Sequence, residues 1–295
     1  IAMPTLSTHK QTYLSQRLGR LGLDVQTLPA FARLTGDEAL LDKLTPAGPA
    51  AFLARGHLHD EIGSKMADYT GGNVLITGAG GSIGQELCRQ VVSCRPRKLV
   101  LFELSELALY NIHSELKVLA EEAGAELVAV LGSITDEVLV EQVLRSHEID
   151  VVFHAAAYKH VPIVETNIRV GLANNALGTS VLVAKAHAAK VKRFVLVSSD
   201  KAVRPGNVMG ASKRFAELIV QDMAARSPDT IFSIVRFGNV LGSSGSVIPL
   251  FQEQIARGGP VTLTDLNVTR YFMTIEEAAR LVMVAGSFAE GGEVF

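Results

Sequence analysis

The sequence predicts an α/β fold: a Rossmann-type, doubly wound parallel sheet with a smaller region on its C-terminal side. Three observations predict it. Short apolar runs recur as Val74-Leu75-Ile76, Leu99-Val100-Leu101, Leu127-Val128-Ala129-Val130, Val151-Val152-Phe153, Phe194-Val195-Leu196-Val197 and residues 231–235. Helical stretches separate them: Ile83, Leu87 and Val91 share one helical face, and Leu109, Ile112, Leu116 and Leu119 share another. The first strand runs straight into a glycine-rich turn at residues 77–84. Strands that are apolar throughout, rather than alternating, belong to a sheet covered on both faces. Ligands of such sheets lie outside the carboxyl ends of the strands. Every chemically suggestive segment of this chain falls at such an end.

With 295 residues, 48% of them hydrophobic, the chain can bury one large core, or one domain plus part of another. A net charge of -2 and the lack of a long Lys/Arg run argue against a nucleic-acid partner. Cys88 and Cys94 make no disulfide framework and read as reduced thiols in a cytoplasmic compartment. Neither their spacing nor that of His154 and His160 fits a common metal pattern, so packing or polar contacts are expected there and no metal. No apolar run approaches the ~18 residues of a membrane helix, and no signal peptide is present.

The chain starts at Ile1 without Met and stops at Gly292-Glu293-Val294-Phe295, which reads as the beginning of a strand; a fragment at both ends is expected. Residues 1–30 read as the tail of a preceding α/β domain. Ile1-Ala2-Met3 ends a strand, Leu14, Leu18 and Leu21 share a helical face, Gly22 stops that helix, and Val25 to Leu28 form a strand. Residues 31–70, with Pro46 and Pro49, read as a connector. Residues 71–236 form the dinucleotide domain, and residues 237–295 form a smaller region interleaved with it and incomplete at its end.

The turn Thr77-Gly78-Ala79-Gly80-Gly81-Ser82-Ile83-Gly84 lies between a strand and a helix, where backbone N–H groups and the helix dipole can meet a pyrophosphate. Glu103 ends the second strand about twenty residues on, where a carboxylate accepts from an adenosine ribose and repels a 2′-phosphate; NAD is favoured over NADP. Ser133 and Ile134 follow the third strand as further cofactor candidates. Asp136 beside them is either an adenine contact or a helix N-cap.

Ser198-Ser199-Asp200-Lys201 follows the fifth strand, and Met209 and Lys213 come shortly after. An alcohol dehydrogenase of this type has a tyrosine four residues before the lysine. Met209 stands there and cannot move a proton. An ionisable Asp200-Lys201 pair stands beside the hydroxyl instead. Chemistry beyond simple alcohol oxidation is therefore expected.

The glycines at 78, 81 and 84, followed by His154-Ala155-Ala156-Ala157, Asn175, Ser199 and Lys213, resemble the extended short-chain dehydrogenase/reductase family. The segments 157–162, 199–203, 207–213 and 270–274 narrow the resemblance to UDP-N-acetylglucosamine 4,6-dehydratases of bacterial polysaccharide and glycan biosynthesis. They resemble most the membrane-anchored branch in which Met replaces the tyrosine. The resemblance covers residues 71–295, and it implies a parent protein at the cytoplasmic face of the inner membrane. It also implies a tightly held NAD that is reduced and reoxidised in each turnover. The sugar C4 is oxidised, water is eliminated across C5 and C6, and the hydride returns to C6.

On that resemblance Asp200 is the acid for the C6 oxygen and Lys201 the base for C5. Ser199 bonds the C4 oxygen, and Lys213 holds the nicotinamide ribose. Ala155, Ala156, Ala157 and Asn175 join Gly78, Gly80, Gly81, Ser82, Ile83, Gly84 and Glu103 around the cofactor. Asp200, a water or Tyr158 is left as the base for the C4 hydroxyl. Asn239, Ser243, Ser246, Val247 and Arg270 line the UDP side, with Lys159 reaching from its loop. The bland reading of Arg270 is a surface pair with Asp265 or Glu277. A homo-oligomer through helices near residues 167–190 and 206–226 is expected.

Overall fold

The computed structural model describes residues 26–27, 45–46, 69–243, 245, 247–263, 265 and 267–295. The expectations for residues 1–25 and 28–44, and for 47–68, lie outside the described residues. Within that stretch Gln26–Thr27 pairs antiparallel with Thr45–Pro46.

All six expected strands form. They are β1 (Asn73–Thr77), β2 (Lys98–Glu103), β3 (Glu126–Leu131), β4 (Val151–His154), β5 (Arg193–Val197) and β6 (Ile231–Val235). The sheet is parallel throughout, in the order β3-β2-β1-β4-β5-β6. This is the doubly wound order, with its switch point between β1 and β4. The helices between strands are α1 (Ser82–Ser93), α2 (Glu106–Ala123), α3 (Glu137–Ser146), α4 (Val161–Thr166), α5 (Ile168–Leu172), α6 (Thr179–Ala188) and α7 (Val208–Arg226). A π-helical segment, Ala173–Gly178, joins α5 to α6. Beyond β6 lie β7 (Asn239–Val240), α8 (Val247–Ala256), β8 (Phe272–Met273) and α9 (Ile275–Phe288).

Successive strand residues point to opposite faces, and both faces are buried. Val74, Ile76, Leu101 and Phe153 join α1, α2 and α9 in one core. Leu75, Val100, Val152 and Phe194 join α3, α6 and α7 in the other. Strand β3, at the edge, is covered less than its neighbours. Leu119 departs from the expected face of α2: it is exposed, and Ala120 is buried with Leu109, Ile112 and Leu116. Eleven residues, from Leu109 to Ala120, make about three turns and return to the same side, whereas ten do not.

The chain's last residues do pair as a strand would. Val294 bridges Ile234 in parallel, and Phe295 N–H donates to Ile234 O at 2.9 Å. Among the described residues no helix is long and apolar enough to cross a membrane.

A buried polar chain crosses the switch point. The Nδ1 of His154 lies 2.7 Å from Thr77 Oγ1, and its Nε2 lies 2.8 Å from Thr179 Oγ1. Thr179 gives its one hydroxyl proton to Asn175 O at 2.7 Å, so it must accept from His154 Nε2–H. Thr77 then donates to the bare Nδ1. Burial, with Lys213 adding to it, pushes His154 down to about 3.

The sign of the pH effect follows. Folded His154 stays neutral, while the unfolded residue takes a proton below about 6.5. Its contribution is complete above that pH and is lost as pH falls toward about 3. We expect wild type to lose about 1.4 kcal/mol more stability per pH unit between pH 6 and 4 than His154→Asn, by urea unfolding. Parallel pH curves for the two proteins would refute this.

Candidate active site

The β1–α1 turn is shaped by close approach. Gly78 has φ +68°, and a Cβ there would lie 2.7 Å from Ala156 N. A Cβ on Gly84 would lie 1.9 Å from Gly78 O. Only glycine lets the turn, the start of α1 and the β4 exit loop pack together. Gly81 caps α1, and a glycine cap has no side chain of its own to cover that helix end. The end is thus open to an anion. Ser82 and Ile83 begin the helix there.

Glu103 closes the adenosine side. Its Oε2 accepts from Gly80 N–H at 2.9 Å, and its Oε1 from Leu104 and Ser105 N–H at 2.9 and 3.0 Å. A carboxylate has about four acceptor sites, so capacity for a ribose hydroxyl remains. Asp136 is the N-cap of α3, accepting from Leu139 N–H at 3.0 Å. Ile134 is buried in the core, so a nucleotide could meet only its backbone; Ser133 Oγ bonds Thr135. Ala155, Ala156 and Ala157 are part-exposed on the exit loop of β4. These groups fit a dinucleotide: a glycine cradle, a glycine-capped helix end and an acid at the second strand.

The second constellation hangs from β5. Ser199 caps a short 3-10 turn, Asp200–Ala202, by accepting from Lys201 N–H at 3.2 Å. Asp200 Oδ1 accepts from Ser199 Oγ at 3.0 Å and from Lys201 Nζ at 3.0 Å. The ion pair is half-exposed, with side chains 49% and 38% accessible. Behind it, a Cβ on Gly210 would lie 2.5 Å from Lys201 O, so α7 packs directly on the turn's backbone. Asn207 caps α7 through Gly210 N–H at 2.8 Å.

Met209 is buried at the start of α7. One turn on, Lys213 Nζ donates to Val197 O at 2.6 Å, and burial pushes its pKa down to about 8. Asn175, in the π-helical segment, grips the backbone of Tyr158 at both N–H and C=O, at 2.8 and 2.9 Å, and donates to Ser212 Oγ at 3.0 Å. It thereby links the β4 exit loop to the helix that carries Lys213.

The expected substrate side is assembled in part. Lys159 is exposed, yet the protein around it lowers its pKa by removing water. Asn239 sits in β7, paired in parallel with β8 at Phe272, and its Nδ2 lies 3.5 Å from Tyr271 O. Ser243 is buried, and its hydroxyl donates to Val240 O at 3.1 Å. Val247 opens α8 and is exposed; Ser246 lies outside the described residues. Arg270 is exposed and donates to Thr269 O at 3.4 Å.

Residues 74–295 match the family described as polysaccharide biosynthesis protein. The chain belongs to that family. The capsular polysaccharide biosynthesis protein CapD of Staphylococcus aureus is 41% identical over 297 residues, covering 100% of this chain and 49% of that protein. The chain thus spans about half of that relative. A UDP-N-acetylglucosamine 4,6-dehydratase (inverting) of Campylobacter jejuni is 30% identical over 231 residues, 77% of this chain and 67% of the relative. The X-ray structure of Pen from Bacillus thuringiensis superposes with a TM-score of 0.72 at 36% identity, over 77% of this chain and 70% of that one.

Sequence reasoning missed Glu217. It is fully buried and accepts from Ser198 Oγ at 2.6 Å and from Arg236 at 2.8 and 2.6 Å. Its only sequence signal is position: it follows Lys213 by four residues and precedes buried Val220 by three, on one face of α7.

Gly84→Ala forces the cradle apart, whereas Gly206→Ala meets nothing within 4 Å. We expect the first to weaken NAD binding about tenfold or more, from about 1.4 kcal/mol of displacement, and the second to leave it unchanged. Titration of the purified protein checks this; equal affinities for the two variants would refute the cradle.

Proposed function

We propose that this chain carries an NAD-dependent nucleotide-sugar 4,6-dehydratase site. Its substrate is a UDP-N-acetylhexosamine, UDP-N-acetylglucosamine first, and its product a 4-keto-6-deoxy sugar nucleotide for polysaccharide biosynthesis. One observation carries the reading. Asp200 and Lys201 form an adjacent acid and amine on a turn capped by Ser199, while Met209 occupies the tyrosine position. Elimination needs an acid and a base at neighbouring carbons, and an epimerase or reductase normally needs the absent tyrosine. The dehydratase named among the relatives supports the choice.

Gly78, Gly80, Gly81, Ser82, Ile83, Gly84, Glu103, Ala155, Ala156, Ala157, Asn175 and Lys213 would hold NAD, with Ser133 and the Ile134 backbone beside the adenine. Bound there, NAD supplies a reversible hydride acceptor. Lys201 takes the C5 proton, and Asp200 protonates the C6 oxygen, which leaves as water. Ser199 bonds the C4 oxygen and orients it, and the C4 hydroxyl proton would pass to Asp200, a water or Tyr158 as the hydride leaves C4. Lys159, Asn239, Val247 and Arg270 line the approach, where Arg270's fork geometry suits a diphosphate.

In this reading residues 71–236 and 237–295 act as one catalytic unit, and the parent protein is anchored at the cytoplasmic face of the membrane. Exposed Ile168, Val170, Leu177, Phe215 and Leu218 on the α5-to-α7 surface support a homo-oligomer. Light scattering at micromolar concentration should show more than one chain per particle; a monomer would count against it.

The deciding measurement is mass spectrometry of UDP-N-acetylglucosamine incubated with the protein and NAD. Wild type should remove one water. Asp200→Asn combined with Lys201→Met should lower that rate by about 10²–10⁴-fold. Gly210→Ala, which displaces the Lys201 backbone, should lower it by about 10²-fold. Conversion by the double variant at the wild-type rate would remove the pair from the chemistry.

A further inference from the structure

Helix α7 grips the end of β5 at two successive residues. Lys213 holds Val197 O at 2.6 Å, and Glu217, one turn on, accepts from Ser198 Oγ at 2.6 Å. The same carboxylate takes Arg236 through Nε at 2.8 Å and Nη2 at 2.6 Å, and Arg214 Nη1 at 3.0 Å. Arg236 directly follows β6. Its neighbour Phe237 accepts Asp200 N–H on its carbonyl at 3.0 Å. One buried carboxylate therefore ties together both strand ends from which the Ser199–Lys201 turn is hung.

The group is ionised and costly to lose. Burial alone would raise its pKa, but the bonds from Arg236, Ser198 and Arg214 outweigh burial and lower it. Charge-assisted, two-pronged contacts of this kind fix geometry as well as energy. Truncating one partner leaves the other charge uncompensated.

The two grips differ in what else they serve. Lys213 has three donors and lies at the carboxyl end of the sheet, where a ligand's hydroxyls compete for it. Glu217 is fully buried, and a ligand cannot reach it. We propose that Glu217 is a positioning residue for the Ser199-Asp200-Lys201 turn. It binds the ends of β5 and β6 to α7 and keeps the turn in register when Lys213 leaves Val197 for a bound ligand. The catalytic part of this inference rests on the dehydratase reading.

Two variants test it in the full, NAD-loaded chain: Glu217→Gln and the milder Ser198→Ala, which keeps the Glu217–Arg236 pair. Amide exchange over residues 198–202 should speed up about tenfold or more in both, with β1 and β2 unchanged. Turnover of UDP-N-acetylglucosamine should fall about 10²-fold in Glu217→Gln and about tenfold in Ser198→Ala, with KM and NAD affinity held within about twofold.

Exchange over 198–202 within about twofold of wild type in the variants that fold would overturn the proposal. So would a loss shared equally by β1, β2 and NAD binding, the mark of a general brace. Should Glu217→Gln fail to fold, Ser198→Ala decides. Should wild type convert no UDP-sugar, the dehydratase reading fails and the exchange measurement alone decides for Glu217.

Discussion

The architecture depends on how closely two loops pass at the switch point of the sheet. The turn after β1 and the exit loop of β4 approach until a single Cβ on Gly78 would strike Ala156. That contact keeps the two halves of the sheet from splaying where they diverge. It also narrows the crevice and leaves the α1 N-terminus facing it. A cleft of this shape is a consequence of strand order. What the chain adds is the set of small residues, Gly78, Gly84, Ala155 and Ala156, that lets the walls close to backbone contact.

A second constraint runs beneath the cleft. Thr77, His154, Thr179, Asn175 and Ser212 form one buried hydrogen-bond chain that ends on Met209 O. It begins on β1, crosses β4, passes through the π-helical segment and reaches the first turn of α7. Each member has a partner for its proton, and buried polar groups are tolerated on that condition. The chain fixes the depth of α7 relative to the sheet. The depth matters because the backbone of Lys201 rests on Gly210, in the turn where this network ends. The π-helical segment has a part too: Asn175 there holds the Tyr158 backbone with its side chain while its carbonyl receives Thr179.

Much of this was legible in the sequence, for local reasons. The strands are short β-branched and leucine-rich runs, and parallel strands buried on both faces have no other way to look. The glycine turn is legible because strand, turn and helix are contiguous. So is the Ser199-Asp200-Lys201 turn. Residues whose meaning is tertiary were not legible. Glu217 reads as one more helical acid, because its burial is set by Ser198 and Arg236, which arrive from two different strands. The bond from Ser243 Oγ back to Val240 O comes from the bend after β7, which no local pattern shows. Leu119 and Ala120 differ by one residue on the helix, a margin that periodicity alone does not resolve in an 18-residue helix.

The Asp200–Lys201 pair poses the sharpest physical question of the site. Here the two groups are half-exposed and bonded as ions. Water screens such a pair, so their attraction is worth about 0–1 kcal/mol. In the dehydratase reading one group gives a proton to the C6 oxygen and the other takes one from C5. Burying two ions is costly, whereas burying their neutral forms is much less so. In the dehydratase reading, a sugar that covers the turn and expels its water strengthens every electrostatic contact within the turn. In that reading Ser198, Glu217 and Arg236, which hold the turn against a closing ligand, set its distance from C5 and C6.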